Sequence, residues 1–134
     1  MTKQEIVASV QKLTPPGSYV LFGSCSLAAL NLREANDIDM LVSEDLFEEL
    51  KSSGWKQIYK GPKDEPVTYD AFEAHSSWGF SPYSPTLGHL LSSAVVIEAV
   101  PFAALEEVRK WKQGRLSTKD IRDIKLIDNY LASQ

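Results

Sequence analysis

Apolar residues recur at two different spacings along this 134-residue chain, and the switches between them mark its elements. Ile6, Val7, Val10 and Leu13 fall at helical spacing behind Thr2-Lys3-Gln4-Glu5, a capping-box pattern, so a helix opens the chain and Pro15-Pro16-Gly17 stops it. Residues 19–22 form a short apolar run that predicts a buried strand, 25–33 read as a helix, and 37–42 as the next strand. Ser43 is a suitable N-cap for a helix carrying Leu46, Phe47 and Leu50, with Gly54 as its C-terminal cap. Residues 55–60 and 67–74 predict two strands joined by the turn-rich run Gly61-Pro62-Lys63-Asp64-Glu65-Pro66. Residues 75–86, rich in Ser, Pro and Gly around Trp78, Phe80 and Tyr83, predict an ordered surface loop. A helical turn near 87–91 and an extended run over 95–100 follow. Two helices close the chain, one ending at Gly114 and one starting after Thr118 with Ile121, Ile124 and Leu131 on its buried stripe.

Together these elements predict an α+β fold: a small mixed β-sheet with helices mainly on one face, and 1–134 as one domain. Eighteen acidic against 14 basic residues give a net charge of −4, so no overall basic field recruits a long nucleic acid. One cysteine, Cys25, cannot form an internal disulfide and fits a reducing cytoplasm, the expected location. No run approaches the length of a membrane span, and the N-terminus has no apolar signal core.

The candidate chemistry lies in Phe22-Gly23-Ser24 and Asp37-Ile38-Asp39. On a strand, residues i and i+2 share a face, so the Asp37 and Asp39 carboxylates project side by side. Two such charges repel unless a cation joins them, and a hard divalent ion such as Mg²⁺ takes one or two carboxylates together with phosphate and water oxygens. Gly23-Ser24, at a strand-to-helix turn, offers backbone N–H groups to an anion. A phosphate cradle followed by a metal clamp equips a site for phosphoryl or nucleotidyl transfer.

Gly23-Ser24, a helix, then Asp37-Ile38-Asp39 resembles the signature of the nucleotidyltransferase superfamily related to DNA polymerase beta, including the small minimal and antibiotic nucleotidyltransferases. More loosely, the stretch from Val100-Pro101-Phe102 through Trp111-Lys112 and Lys119-Asp120 to Tyr130-Leu131 is similar to the tail of small bacterial members. The resemblance implies transfer of a nucleoside monophosphate from a nucleoside triphosphate, such as ATP, to a hydroxyl, with two Mg²⁺ ions. The implied ligands are Asp37, Asp39 and a third carboxylate on a later strand. Asp70 is the first choice for that third group because it interrupts an apolar, β-branched run; Glu73 and Glu98 are its rivals. Gly23, Ser24 and Lys119 would hold the nucleotide phosphates, with Arg115 a second candidate cation and Arg33 and Lys112 lesser ones. The run Leu116-Ser117-Thr118 sets Arg115 apart from Lys119-Asp120, a departure that threatens to displace the basic group.

The acceptor implied is a small molecule or a protein, and a homodimer or a toxin–antitoxin partner stays open. The alternative is a degenerate, non-catalytic module, nucleotide-binding or antitoxin-like in its interactions; the position of the third carboxylate separates the two. His75 and His89 stand too far from other ligand residues for a zinc site, and Cys25 reads as small buried packing.

Overall fold

The computed structural model describes residues 1–13 and 18–134, so the Pro15-Pro16-Gly17 stop lies outside the described residues, as does the Leu13 side chain. The elements follow the order α1 (Lys3–Leu13), β1 (Tyr19–Phe22), α2 (Ser24–Ala29), β2 (Ile38–Val42), α3 (Glu44–Ser52), β3 (Lys56–Gln57), β4 (Val67–Tyr69), β5 (Phe72–His75), α4 (Leu87–Ser92), β6 (Val95–Ile97), β7 (Val100–Phe102), α5 (Leu105–Arg115) and α6 (Thr118–Ala132). The strands form one mixed sheet in the order β3-β4-β5-β2-β1-β7-β6. β2 lies antiparallel to β1 and parallel to β5, and β1 runs parallel to β7. The expected α+β class with a mixed sheet is therefore what the chain forms, with more strands than the word small implied.

Alternation along β1 and β2 divides the interior in two. Leu21, Ile38, Met40 and Val42 face α1 and α3, meeting Ile6, Val7, Val10, Leu46 and Leu50. Val20, Phe22 and Leu41 face the other way, toward Leu90 of α4, Leu105, Val108 and Trp111 of α5, and Ile127 of α6. Helices thus cover both faces rather than mainly one, because β1 and β2 are apolar on both sides and each face needs a cover. Among the described residues, no helix is long and apolar enough to cross a membrane.

Several boundaries move, each for a local reason. The α2 helix stops at Ala29, and Asn31 takes the left-handed conformation at φ 58°, so residues 30–37 are a connecting segment rather than helix. The N-cap of α6 is Ser117 rather than Thr118: its hydroxyl accepts from the Asp120 N–H while the Asp120 carboxylate accepts from the Ser117 N–H, a full capping box. The expected strands over 67–74 and 95–100 are both hairpins. The first turns at Asp70-Ala71, with Asp70 at φ 52°, and the second at Glu98-Ala99, with φ 49° and 67°.

Phe22 joins the sheet to the helices behind it, fully buried with its ring centroid 4.5 Å from that of Trp78 and 5.2 Å from that of Trp111. Phe22→Ala is expected to destabilise the chain by about 3–5 kcal/mol, measured by urea unfolding followed by circular dichroism. A loss below about 1 kcal/mol would show that this aromatic cluster does not hold the two layers together.

Candidate active site

At the N-terminal end of β2 the chain arrives as Asn36-Asp37 and enters the sheet at Ile38. Ile38 and Met40 are fully buried on the α1 side, which turns Asp39 to the opposite face beside Leu41. Asp39 pairs in register with Phe22 on β1 and with Glu73 on β5. Gly23 begins the turn out of β1 at φ 68°, and a Cβ there would lie 3.5 Å from Asp39 Oδ2. Glycine is therefore demanded by the backbone angle, and the turn that leads into α2 lies directly against the Asp39 carboxylate. Asp37 and Asp39 accept no hydrogen bond and form no ion pair through their side chains among the described residues. Both face an open cleft of about 420 Å³, which Gly23 and Ser24 also line.

That environment shifts Asp39 strongly. Burial, then the neighbouring Asp37 and Glu73 charges, push its carboxyl up to about 7, with Lys60 and Arg115 opposing. Glu73 moves the other way, down to about 2, because His75 hydrogen-bonds to it and Lys60 adds a hydrogen bond and a positive charge against the cost of burial. The distances are 3.1 Å from His75 Nε2 and 2.7 Å from Lys60 Nζ to Glu73 Oε1.

Of the candidate third carboxylates, only Glu73 stands in this cleft. Asp70 is exposed at the tip of the β4–β5 hairpin and does not line it, and Glu98 is exposed at the β6–β7 turn. Both acids interrupt apolar runs because the chain reverses there; their short polar side chains and left-handed backbone suit a turn. Glu73, a rival of Asp70 on sequence, follows a strand boundary that the pattern alone does not reveal.

Cations form the opposite wall. Arg33, from the segment before β2, grips Asp123 of α6 through two hydrogen bonds of 2.7 and 2.9 Å. The buried Lys112 ammonium lies 2.9 Å from Asp123 and 3.4 Å from Asp120. Arg115 Nε is 3.7 Å from Asp120, and its guanidinium stacks 4.1 Å above the Trp111 ring. Burial alone would raise Asp120 and Asp123, yet the Ser117, Arg33 and Lys112 contacts hold both below the usual carboxylate range. Lys119, at the first turn of α6, also lines the cleft and forms no ion pair among the described residues. The Leu116-Ser117-Thr118 run does not displace the basic group: Leu116 turns the chain at φ 50°, and Arg115 and Lys119 face the same cleft.

Sequence reasoning missed Lys60 and Asp64, which reach the cleft from the irregular segment after β3, and Trp111 as part of its wall. No periodicity marks such loop residues. Asp64 Oδ1 and Trp111 Nε1 are buried with no hydrogen-bond partner among the described residues. Cys25 is buried with its thiol pushed up, first by burial and then by Asp39, consistent with inert packing. His89 lies away from the cleft, 2.9 Å from Glu107, which also accepts from Tyr83.

Among the described residues, no three His, Cys, Asp or Glu side chains converge as a metal-ligating group. Two hard carboxylates open to the cleft and free of protein counter-ions fit a divalent cation that draws its remaining oxygens from phosphate and water. They do not by themselves supply a second, fully protein-held ion.

No protein-family model and no characterised protein sequence matches the chain; the likeness lies in the fold. The crystal structure of ANT(2'')-Ia in complex with adenylyl-2''-tobramycin superposes with a TM-score of 0.57 at 14% identity, covering 96% of this chain and 86% of that one. The solution structure of the antibiotic-resistance factor ANT(2'')-Ia gives 0.56 at 15% identity, covering 96% and 81%. ANT(2'')-Ia is an aminoglycoside nucleotidyltransferase of the DNA polymerase beta-like superfamily, and the chain has that nucleotidyltransferase fold.

The raised Asp39 carboxyl makes a stability prediction. Between its ordinary value and about 7 the folded protein holds a proton that the unfolded chain releases, so this group lowers stability as pH rises through that window. In chelator, Asp39→Asn is expected to raise Tm at pH 7 by on the order of 4 °C for each kcal/mol regained, and to leave Tm near pH 4 unchanged. Equal melting of the two proteins at both pH values contradicts a strained carboxylate at this position.

Proposed function

We propose that this nucleotidyltransferase-fold protein is a Mg²⁺-dependent nucleotidyltransferase that moves a nucleoside monophosphate from a nucleoside triphosphate to a hydroxyl of a small-molecule or protein acceptor. The observation that carries the reading is the Asp37–Asp39 pair: two carboxylates at the start of β2, in no ion pair among the described residues, facing a cleft walled by five basic residues. A pair so placed is unfavourable in isolation and becomes favourable when a divalent ion and phosphate oxygens complete it.

Mg²⁺ held by Asp37 and Asp39 would neutralise charge on the nucleotide phosphates and lower the pKa of a bound acceptor hydroxyl. Lys119, with no carboxylate to satisfy, presents its ammonium to the departing pyrophosphate at the positive end of α6. The Gly23 turn gives close approach to the phosphates, and the Ser24 hydroxyl, which makes no hydrogen bond to the protein among the described residues, is free to contact them. Glu73, in register with Asp39 across β2 and β5, would stand in place of Asp70 as the third carboxylate beside the metal. Asp64 Oδ1 and Trp111 Nε1 offer one acceptor and one donor to a polar ligand in the same cleft. The fold likeness to ANT(2'')-Ia, whose crystal structure holds adenylyl-2''-tobramycin, supports the small-molecule option.

One observation favours a second reading, a nucleotide-binding module without catalysis. Glu73 is already committed to Lys60 and His75, so the third carboxylate is masked in the free protein.

Calorimetric titration with several nucleoside triphosphates, with and without Mg²⁺, tests the assignment. Wild-type protein is expected to bind one or more triphosphates only with the metal, and Asp37→Asn/Asp39→Asn to lose that binding. Lys119→Ala should weaken it about ten- to a hundredfold, the value of a charge-assisted hydrogen bond. Triphosphate binding that is indifferent to Mg²⁺ or to both aspartates would sink the proposal.

A further inference from the structure

A second groove, of about 380 Å³, lies behind the cationic wall of the cleft, lined by Arg33, Asn36, Lys119, Arg122, Asp123 and Leu126. Its α6 side follows helical spacing: residues 119, 122, 123 and 126 fall on one face of the helix. The segment that leads into β2 forms its other side through Arg33 and Asn36. Arg33 and Lys119 line both hollows, whereas Asn36 and Arg122 line the groove alone. Asn36 directly precedes Asp37, so one residue that lines the groove is the chain neighbour of the carboxylate pair.

The charge in this groove is not self-satisfied. Its one carboxylate, Asp123, is fully engaged, by Arg33 at 2.7 Å and by Lys112 at 2.9 Å. Lys119 and Arg122 have no ion pair among the described residues. Three cations, an amide and one neutralised acid therefore line a pocket of small-molecule size, on a chain whose net charge is −4. A planar guanidinium and an ammonium set around one space match the oxygens of a phosphate monoester, and Leu126 gives an apolar contact for the carbon attached to it.

We propose that this groove binds the anionic group of the acceptor, a phosphate monoester or comparable dianion on a small hydroxylated molecule, while the nucleotide fills the cleft. The acceptor's body then lies along Asn36, the chain neighbour of Asp37, and brings its hydroxyl toward the carboxylate pair. The role as acceptor subsite rests on the nucleotidyltransferase reading; anion binding in the groove does not. The overall negative charge disfavours a long nucleic acid as the source of the phosphate, and Asn36 and Arg122, which line the groove and not the cleft, tell this subsite from the nucleotide's own phosphates.

The test is an NMR titration in phosphate-free buffer, reading the Asn36 side-chain amide and the Arg122 Nε–H. The cleft is first saturated with a non-hydrolysable triphosphate analogue and Mg²⁺, and glycerol 3-phosphate, inorganic phosphate and glycerol are then added separately. Both phosphate compounds are expected to give saturable shifts at the two reporters, and glycerol none. Arg122→Ser, an exposed substitution, should weaken glycerol 3-phosphate binding at least about tenfold, read at Asn36, with Arg122→Lys retaining part of it. Shifts that vanish when the analogue is present would overturn the proposal, because they would mean a single anion site shared with the nucleotide. Unaltered affinity in Arg122→Ser would also overturn it. If the analogue itself does not bind, the nucleotidyltransferase reading fails, and the same titrations on the free protein still decide whether the groove takes a phosphate.

Discussion

Asp37 and Asp39 repel each other, and the sheet holds them together nonetheless. Ile38 and Met40 are fully buried between them and beyond them, so a one-residue slip of β2 would drive Asp39 into the apolar layer beneath α1 and α3. Burial of apolar surface on both faces of the central strands thus fixes where the carboxylates point. Gly23, packed against Asp39 at a backbone angle that other residues resist, closes the cleft from the β1 side. The cost of burying Asp39, and then of the Asp37 charge beside it, appears in its raised carboxyl, and a divalent cation is the chemistry that relieves it.

The cations opposite are unequal. Arg33, Lys112 and Arg115 are tied to Asp120 and Asp123, and Lys60 to Glu73. Those pairs stiffen the joint between α5, α6 and the segment before β2, and buried pairs of this kind resist removal of either partner. Lys119 remains without a carboxylate at the α6 N-terminus, held in place by the Ser117–Asp120 capping box. Among the described residues the protein therefore presents a braced basic wall with one uncommitted ammonium, that of Lys119, beside the cleft, and one uncommitted guanidinium, that of Arg122, in the second groove.

The order of elements was largely legible in the sequence, because helical and strand spacings alternate cleanly and Ser43 and Gly54 mark α3 at both ends. The Asp-x-Asp pair was legible from a strand's two-residue period, although β2 itself begins only at Ile38, and the Gly23 turn from the Gly-Ser step at the end of an apolar run. Asp70 misled because an acid inside a β-branched run reads equally as a ligand or as a turn. Its hairpin lacks the Asn-Gly or Asp-Gly pair that would have marked a two-residue turn, and so does the one at Glu98-Ala99. Once the reversal at Asp70-Ala71 is placed, Glu73 falls opposite Asp39 in the parallel β2–β5 register. Lys60 and Asp64 carry no periodic signal, since only the tertiary fold brings their segment to the cleft.

Manganese binding followed by electron paramagnetic resonance tests the central claim most directly, since Mn²⁺ substitutes for Mg²⁺ at oxygen sites and reports its own free concentration. The account predicts that a triphosphate and wild-type protein together capture Mn²⁺ more tightly than the triphosphate alone, and that Asp39→Asn abolishes the difference. Equal capture by wild type and Asp39→Asn would contradict the assignment of the β2 carboxylates as a metal clamp.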